Sequence, residues 1–383
     1  MDFTLNDEQT MIRTMCREFA EEEIKPKAEE IDRTGTFPVE IVRKMGSLGL
    51  LGLPFPEDEG GAGADFLTYC VALEEIGRGD ASVGITMEAH TSLGATPFHL
   101  FGSKEQKQEY LVPLAQGRKL WAFGLTEPNA GSDSGGTETH AEREGDSWRI
   151  NGSKAFITNA GTEMSAGVTI TAVTGKTADG HKAITNFIVP RGVPGYEIGA
   201  AYHKMGWRAS DTRPLSFQDC IVPDAQRLGD EGDGFRQFME ILDGGRVAIA
   251  ALNVGLAQAC LDESLKYARE RKQFGRPISA FQAIQFKLAD MAMEIELSRL
   301  MYYKAAWLRM QGAPFRREAS MAKLYSSETA KRCADQAVQI HGGYGFMDEY
   351  PVSRFWRNVK VHEIGEGTSE VQRSLIAKSL LRS

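Results

Sequence analysis

Val168-Thr169-Ile170-Thr171-Ala172-Val173 decides how the rest of the chain divides. Nearly every residue in it is β-branched, and such side chains suit a pleated surface better than a helix. Working outward, Thr185-Asn186-Phe187-Ile188-Val189 has the same texture. Leu215 to Val222 alternates loosely and ends at Pro223. Ser147-Trp148-Arg149-Ile150, then Asn151-Gly152, then Ala155-Phe156-Ile157-Thr158 predicts a hairpin. Asn-Gly supplies the positive dihedrals of a two-residue type I′ turn. From about Trp121 to Val222, short strands and turns dominate, and an antiparallel sheet or small barrel is their natural closure.

On both flanks the apolar period becomes helical. Asp7 is expected to cap a helix through Thr10 to Ala20, and Phe37-Pro38 opens another over Val39 to Leu48 that Gly49 closes. Phe66, Tyr69, Leu73 and Ile76 mark a helix face, as do Tyr110 and Leu111 within Ser103 to Leu114. Past Phe235 three long segments follow. Leu252, Leu256, Leu261, Leu265 and Ala268 line the first, and Ile284, Leu288, Met291 and Ile295 the second. Ser320 to Ile340 is the third, stopped by Gly342-Gly343. The fold class is α+β. An N-terminal helical domain is expected over 1–118, a middle antiparallel β domain over 119–228 and a C-terminal helical bundle over 229–383.

At 383 residues the chain exceeds one ordinary core. Its net charge of −8 offers no basic excess to neutralise phosphates, which argues against a nucleic-acid binder. The start, Met1-Asp2-Phe3-Thr4-Leu5, has no secretory pattern, and no apolar run suffices to span a bilayer; a cytoplasmic protein without membrane insertion is expected. The five cysteines form no Cys-x-x-Cys pair and are read as reduced, mostly buried thiols; no metal is assigned.

Four segments carry possible chemistry. Gly365-Glu366-Gly367-Thr368-Ser369 sets a carboxylate between glycines, which let a backbone approach a ligand closely. Phe123 to Asp133 is a turn-rich loop at the helix-to-strand change, offering N–H groups and hydroxyls to a flat or phosphorylated ligand. Arg269 to Gly275 ends a helix with cations beside Phe274, a pattern suited to pyrophosphate and ring binding. Gln339 to Phe346 is glycine-rich but has Asp348 where a dinucleotide fingerprint needs glycine, and no strand precedes it, which disfavours a nicotinamide enzyme. His341 reads as a satisfied structural histidine.

Taken together, these segments resemble the acyl-CoA dehydrogenase family, FAD enzymes that desaturate acyl thioesters. The likeness runs from Phe3-Thr4-Leu5 through Leu125-Thr126-Glu127-Pro128 and Lys154-Ala155-Phe156-Ile157-Thr158-Asn159. It continues through Arg271-Lys272-Gln273-Phe274-Gly275 and Gln339-Ile340-His341-Gly342-Gly343 to Glu366-Gly367-Thr368-Ser369-Glu370. It implies a four-helix C-terminal domain and a homotetramer, a pair of dimers, with FAD at the dimer interface. Phe123, Leu125, Thr126, Ser132, Phe156, Ile157 and Thr158 would line the flavin, with Thr368 and Glu370 touching it again. Arg271, Gln273, Phe274, Gln282 and Gln339 to Gly343 of a neighbouring subunit would hold its adenine and pyrophosphate part. Ser132, Asp243, Arg246 and Gly367 would contact the acyl-CoA. Many members carry tryptophan where Phe156 stands. Some place their base where this chain has Gly245; with glutamate at 366, that role falls to Glu366.

The implied reaction forms the trans-2-enoyl-CoA. Glu366 takes the α-proton, FAD accepts the β-hydride and an electron-transfer flavoprotein receives the electrons. A carboxylate near its solution pKa of about 4.3 is too weak a base for a free thioester, so burial must raise it and hydrogen bonds must stabilise the enolate. An oxygen-using oxidase or monooxygenase on the same fold is the competing enzyme reading. A catalytically silent assembly relative is the competing reading from another class. The pocket floor is expected at His90 to Thr96 with the start of the 247–260 helix, where small residues at 92, 94 and 95 leave room for a compact, short to medium acyl group.

Overall fold

The computed structural model describes residues 4–381, so Phe3 of the opening motif lies outside the described residues. The first helix, Asp7–Phe19, is capped by Asn6 rather than Asp7. Asn6 Oδ1 accepts from the Gln9 N–H (2.8 Å) and Gln9 Oε1 from the Asn6 N–H (3.0 Å), a reciprocal box that leaves Asp7 free to favour the helix dipole. Val39–Ser47 ends as expected, with Gly49 at φ 74°. Phe66–Gly79 and Ala81–Glu88 are capped by Asp65 and Asp80. Beyond Glu88 the helix loosens into a π-turn, Ala89–Ala95, a distortion that often marks functional positions.

The middle region is one mixed sheet. Its strands are β1 (Leu120–Gly124), β2 (His140–Glu144), β3 (Ser147–Thr158), β4 (Ser165–Lys176), β5 (Lys182–Pro190), β6 (Tyr196–Ile198), β7 (Thr212–Pro223) and β8 (Arg227–Leu228). The order is β6-β7-β3-β2-β4-β5-β8, with β1 added to β4. Antiparallel pairs dominate; β1 and β2 each meet β4 in parallel. The expected hairpin at Asn151-Gly152 does not form, because β3 runs straight through it. The turn lies one strand earlier, at Gly145 (φ 60°), between β2 and β3. Gly152 is needed for another reason: a Cβ there would sit 2.5 Å from Thr139 Oγ1. Asn151 instead accepts from the Asp219 N–H on β7 (2.8 Å).

The C-terminal region contains Gly234–Glu270, Gln282–Met310, Arg316–His341 and Ser369–Leu381, with a shorter Pro351–Val359 between the last two. Gly234–Glu270 is long and apolar enough to cross a membrane, yet 94% of its apolar window is buried inside the protein. It packs tightly on the 66–79 helix; a Cβ on Gly255 would lie 2.1 Å from the Glu74 carbonyl oxygen. The N- and C-terminal helices therefore share one hydrophobic core, from Cys16 and Leu73 to Leu252, Tyr302 and Ala334. The sheet has a separate core around Trp148, Phe187 and Phe217.

Candidate active site

Glu366 lies in the turn between Ile364 and the Ser369–Leu381 helix, and it adopts φ 55°, followed by Gly367 at φ 94°. A left-handed glutamate costs about 1–2 kcal/mol, so the surroundings must hold it there. They do so through its carbonyls. Gln372 Nε2 donates to the oxygens of Glu366 and Gly367 (3.1 Å each), and the buried Lys323 ammonium donates to Gly367 O (2.8 Å). The Glu366 N–H is left without a partner among the described residues.

Both carboxylate oxygens of Glu366 are buried and receive no hydrogen bond from a donor group among the described residues. A Cβ built on Gly245 would stand 2.6 Å from Glu366 Oε2 and 3.5 Å from Leu93 Cδ2. The absent side chain at 245 thus makes the space that the carboxylate occupies. Burial pushes the Glu366 carboxyl above its ordinary range; Glu88, Lys323 and Arg246 pull it back, and burial prevails. Gly245→Ala is expected to leave the melting temperature nearly unchanged, because the flexible end of Glu366 can yield. It should lower turnover by up to about 10²-fold, since small displacements of a reacting group are that costly. Parallel thermal melts and steady-state rates test this.

Asp243 and Arg246, which flank Gly245 on the same helix, are buried and paired (Arg246 Nη1 to Asp243 Oδ1, 2.7 Å). Arg316, largely exposed, donates to Asp243 Oδ2 (2.7 Å), while the buried Arg246 Nε has no partner among the described residues. Of the residues that the resemblance assigns to the acyl-CoA, Arg246 and Gly367 thus lie beside Glu366, and Asp243 is joined to them through Arg246.

The residues expected to line a flat ring lie mainly on the sheet. Phe123 in β1 stacks on Phe238 at 5.7 Å between centroids. Leu125 and Thr126 follow, half-buried, with Ser132 exposed beyond them. Between Lys154 and Ile157 the register of β3 against β7 slips, and Phe156 takes φ 61°. The bulge aims Phe156 outward, 64% exposed and against Tyr202 (5.2 Å), while Ile157 turns into the sheet core. Only the backbone of Ile157 is then available to a ligand on the Phe156 side. Thr368 caps the last helix by accepting from the Val371 N–H (3.3 Å), and Glu370 is exposed on its first turn.

Arg271, Gln273, Phe274, Gln282, Gln339, Gly342 and Gly343 gather elsewhere. Gly245 and Arg271 are separated by most of one helix, about 25 residues at 1.5 Å each, or roughly 38 Å along its axis. Around Arg271 the surface is aromatic and open: its guanidinium lies 5.5 Å from the Tyr344 ring. Phe274, at φ 52°, is 92% exposed and Phe346 83%. His341 stacks on Tyr267 at 4.2 Å and hydrogen-bonds Ala337 O (2.8 Å), a structural role as expected.

The expected pocket floor is tighter than composition suggested. Gly94 is small because β1 presses on it, with its would-be Cβ 2.4 Å from Trp121 O. Ser92 Oγ bonds the Tyr69 hydroxyl (3.1 Å), and His90 bridges Leu114 O and the Trp121 N–H. Sequence reasoning passed over Glu88, Lys323 and Gln372. Glu88 left a signal: it is the lone acidic residue, with no lysine or arginine beside it, between Asp80 and Lys104. Lys323 and Gln372 left none, since each looks like an ordinary polar helix residue.

Residues 6–118, 122–220 and 232–381 match the family models for the N-terminal, middle and C-terminal domains of acyl-CoA dehydrogenase. The chain is 56% identical to the probable acyl-CoA dehydrogenase YngJ of Bacillus subtilis, over 100% of both chains. The solved butyryl-CoA dehydrogenase of Megasphaera elsdenii is 44% identical, with a TM-score of 0.96 over 100% of each chain. A chain in a structure described as the electron transferring flavoprotein of Acidaminococcus fermentans is 45% identical, with a TM-score of 0.97 over 100% of each.

Proposed function

The chain belongs to the acyl-CoA dehydrogenase family, and we propose that it desaturates a short-chain acyl-CoA to the trans-2-enoyl-CoA with Glu366 as the base. The family is flavin-dependent, and FAD is the form proposed here, working in a cytoplasmic homotetramer. The observation that carries the reading is the Glu366 carboxylate, whose buried oxygens accept from no donor group among the described residues, held in a left-handed turn.

The residues present suit such a cofactor. Phe156 is a large aromatic kept out of the core by a strained bulge, where it would shield a flat ring. Phe123, Leu125, Thr126, Ser132, Ile157, Thr158, Thr368 and Glu370 would complete that surface. The Arg271 cluster, roughly 38 Å along one helix from Gly245, is too distant to serve the same bound molecule alone. A second copy would bring Arg271, Gln273, Phe274, Gln282, Gln339, Gly342 and Gly343 to the adenine and pyrophosphate end. Bound FAD supplies the acceptor for the β-hydride.

The chain's own residues do the rest. The free Glu366 N–H would donate to the thioester oxygen and stabilise the charge that develops there. Burial raises the affinity of the Glu366 carboxylate for the α-proton. Lys323 and Gln372 keep the turn from relaxing while the proton moves. Ser132, Asp243, Arg246 and Gly367 would orient the thioester. An electron-transfer flavoprotein then takes the electrons, in keeping with the likeness to the Acidaminococcus chain.

The crowded floor around Gly94 and Ser92 and the likeness to butyryl-CoA dehydrogenase both favour short acyl groups. Anaerobic mixing with a series of acyl-CoA thioesters tests this. Butyryl-CoA should bleach the flavin rapidly and palmitoyl-CoA should not; the reverse order would overturn the short-chain reading. Peroxide release in aerobic turnover would favour an oxidase instead.

A further inference from the structure

Glu88 ends the Ala81–Glu88 helix, and the π-turn after it comes up to the Glu366 carboxylate: a Cβ on Gly245 would stand 2.6 Å from Glu366 Oε2 and 3.5 Å from Leu93 Cδ2 of that turn. Glu88 is fully buried, and neither of its oxygens accepts from a donor group among the described residues. The groups that act on its charge are the Glu366 carboxyl and the Ser92 hydroxyl, the latter bonded to the Tyr69 hydroxyl (3.1 Å). Two carboxylates sharing a dry site cannot both be ionised, so the pair retains a proton.

The groups around the pair are not symmetric. On the side of Glu366 stand two cations, Lys323 from the 316–341 helix and Arg246 from the 234–270 helix, the latter paired with Asp243. Around Glu88 stand Ser92 and, from the 66–79 helix, Tyr69 and Cys70; Arg309, from the 282–310 helix, acts on Tyr69 and Cys70 and not on Glu88 itself. A single negative charge is therefore better placed on Glu366.

We infer that Glu88 is a positioning residue: it keeps the pair's proton and donates it as a hydrogen bond to Glu366, leaving Glu366 ionised as the base. This rests on the proposed role of Glu366. Burial alone would hold Glu366 protonated; the Glu88 hydroxyl counteracts that by solvating the carboxylate in place of water. Burial and the nearby charge push the Glu88 carboxyl well above its ordinary range, while its hydrogen bond draws Glu366 down, both in the sense required. No bond to carbon changes at Glu88, and its proton stays with it through the reaction.

The test uses the holoenzyme and two variants. Glu88→Leu removes the donor, whereas Glu88→Gln replaces it with an amide N–H. The acid limb of kcat/KM should move to higher pH by about one unit or more in Glu88→Leu and stay near wild type in Glu88→Gln. An unmoved limb in Glu88→Leu, or one displaced to lower pH, overturns the inference. Infrared spectra at neutral pH read the proton directly. A protonated-carboxyl stretch should vanish in Glu88→Gln and persist in Glu366→Gln. Loss of the band only in Glu366→Gln overturns the inference whatever Glu366 does in catalysis. Failure of the base assignment itself shows separately, as retained flavin bleaching by Glu366→Gln.

Discussion

Glu366→Gln is expected to bind FAD and acyl-CoA as the native protein does and to lose substrate-driven flavin bleaching by about 10²–10⁴-fold, the usual contribution of a positioned general base. The amide has the same shape and can occupy the space opened by Gly245. The turn should also survive, because Lys323 and Gln372 hold main-chain carbonyls rather than the side chain. The change therefore separates chemistry from architecture. Anaerobic stopped-flow mixing reads the rate, and a spectral shift on titration with acyl-CoA reads binding. Bleaching at the native rate would remove Glu366 from the role.

Lys154→Met is expected to destabilise the fold by about 3–5 kcal/mol, the cost of leaving a buried charge without its partner. Lys154 is buried in β3 and donates to Glu127 Oε1 (2.7 Å), Thr171 Oγ1 (3.0 Å) and Leu125 O (3.3 Å). Glu127 also accepts from the Glu138 N–H (2.7 Å) and the Thr139 N–H. One ammonium thus ties the Leu125-to-Ala130 loop, β3 and β4 together. Burial lowers its pKa to about 8 despite the attraction of Glu127. The double change Lys154→Met with Glu127→Met should recover much of the loss, since an apolar pair leaves no stranded charge. Denaturant unfolding of both variants measures this, with flavin retention as a second reading because the same loop would line the ring. A single variant within about 1 kcal/mol of the native protein would show that the pair is not the loop's anchor.

Much of the fold was legible because its signals are local. The β-branched runs at 168–173 and 185–189 became β4 and β5, and the 3.6 spacing around Leu252, Met291 and Ser320 to Ile340 became long helices. Asn151-Gly152 misled for a definable reason. The dipeptide permits a turn, but the close passage of Thr139 past Gly152 makes the glycine necessary inside a strand. A local propensity was overridden by a contact between different strands. The same holds at Gly94, whose smallness serves packing against Trp121 rather than an open pocket.

The sequence by itself determined the α+β order of helices, strands and helices and the glycine-flanked position of Glu366. These follow from residue type and spacing along the chain. Only the tertiary structure decided that the two helical regions share one core and that Phe156 rather than Ile157 faces outward. It also decided that Glu88 comes to Glu366 from far away in the chain. A carboxyl's burial, partners and proton depend on what surrounds it in three dimensions, and residues 88, 245, 323 and 366 become neighbours only when helices from both ends of the chain pack together.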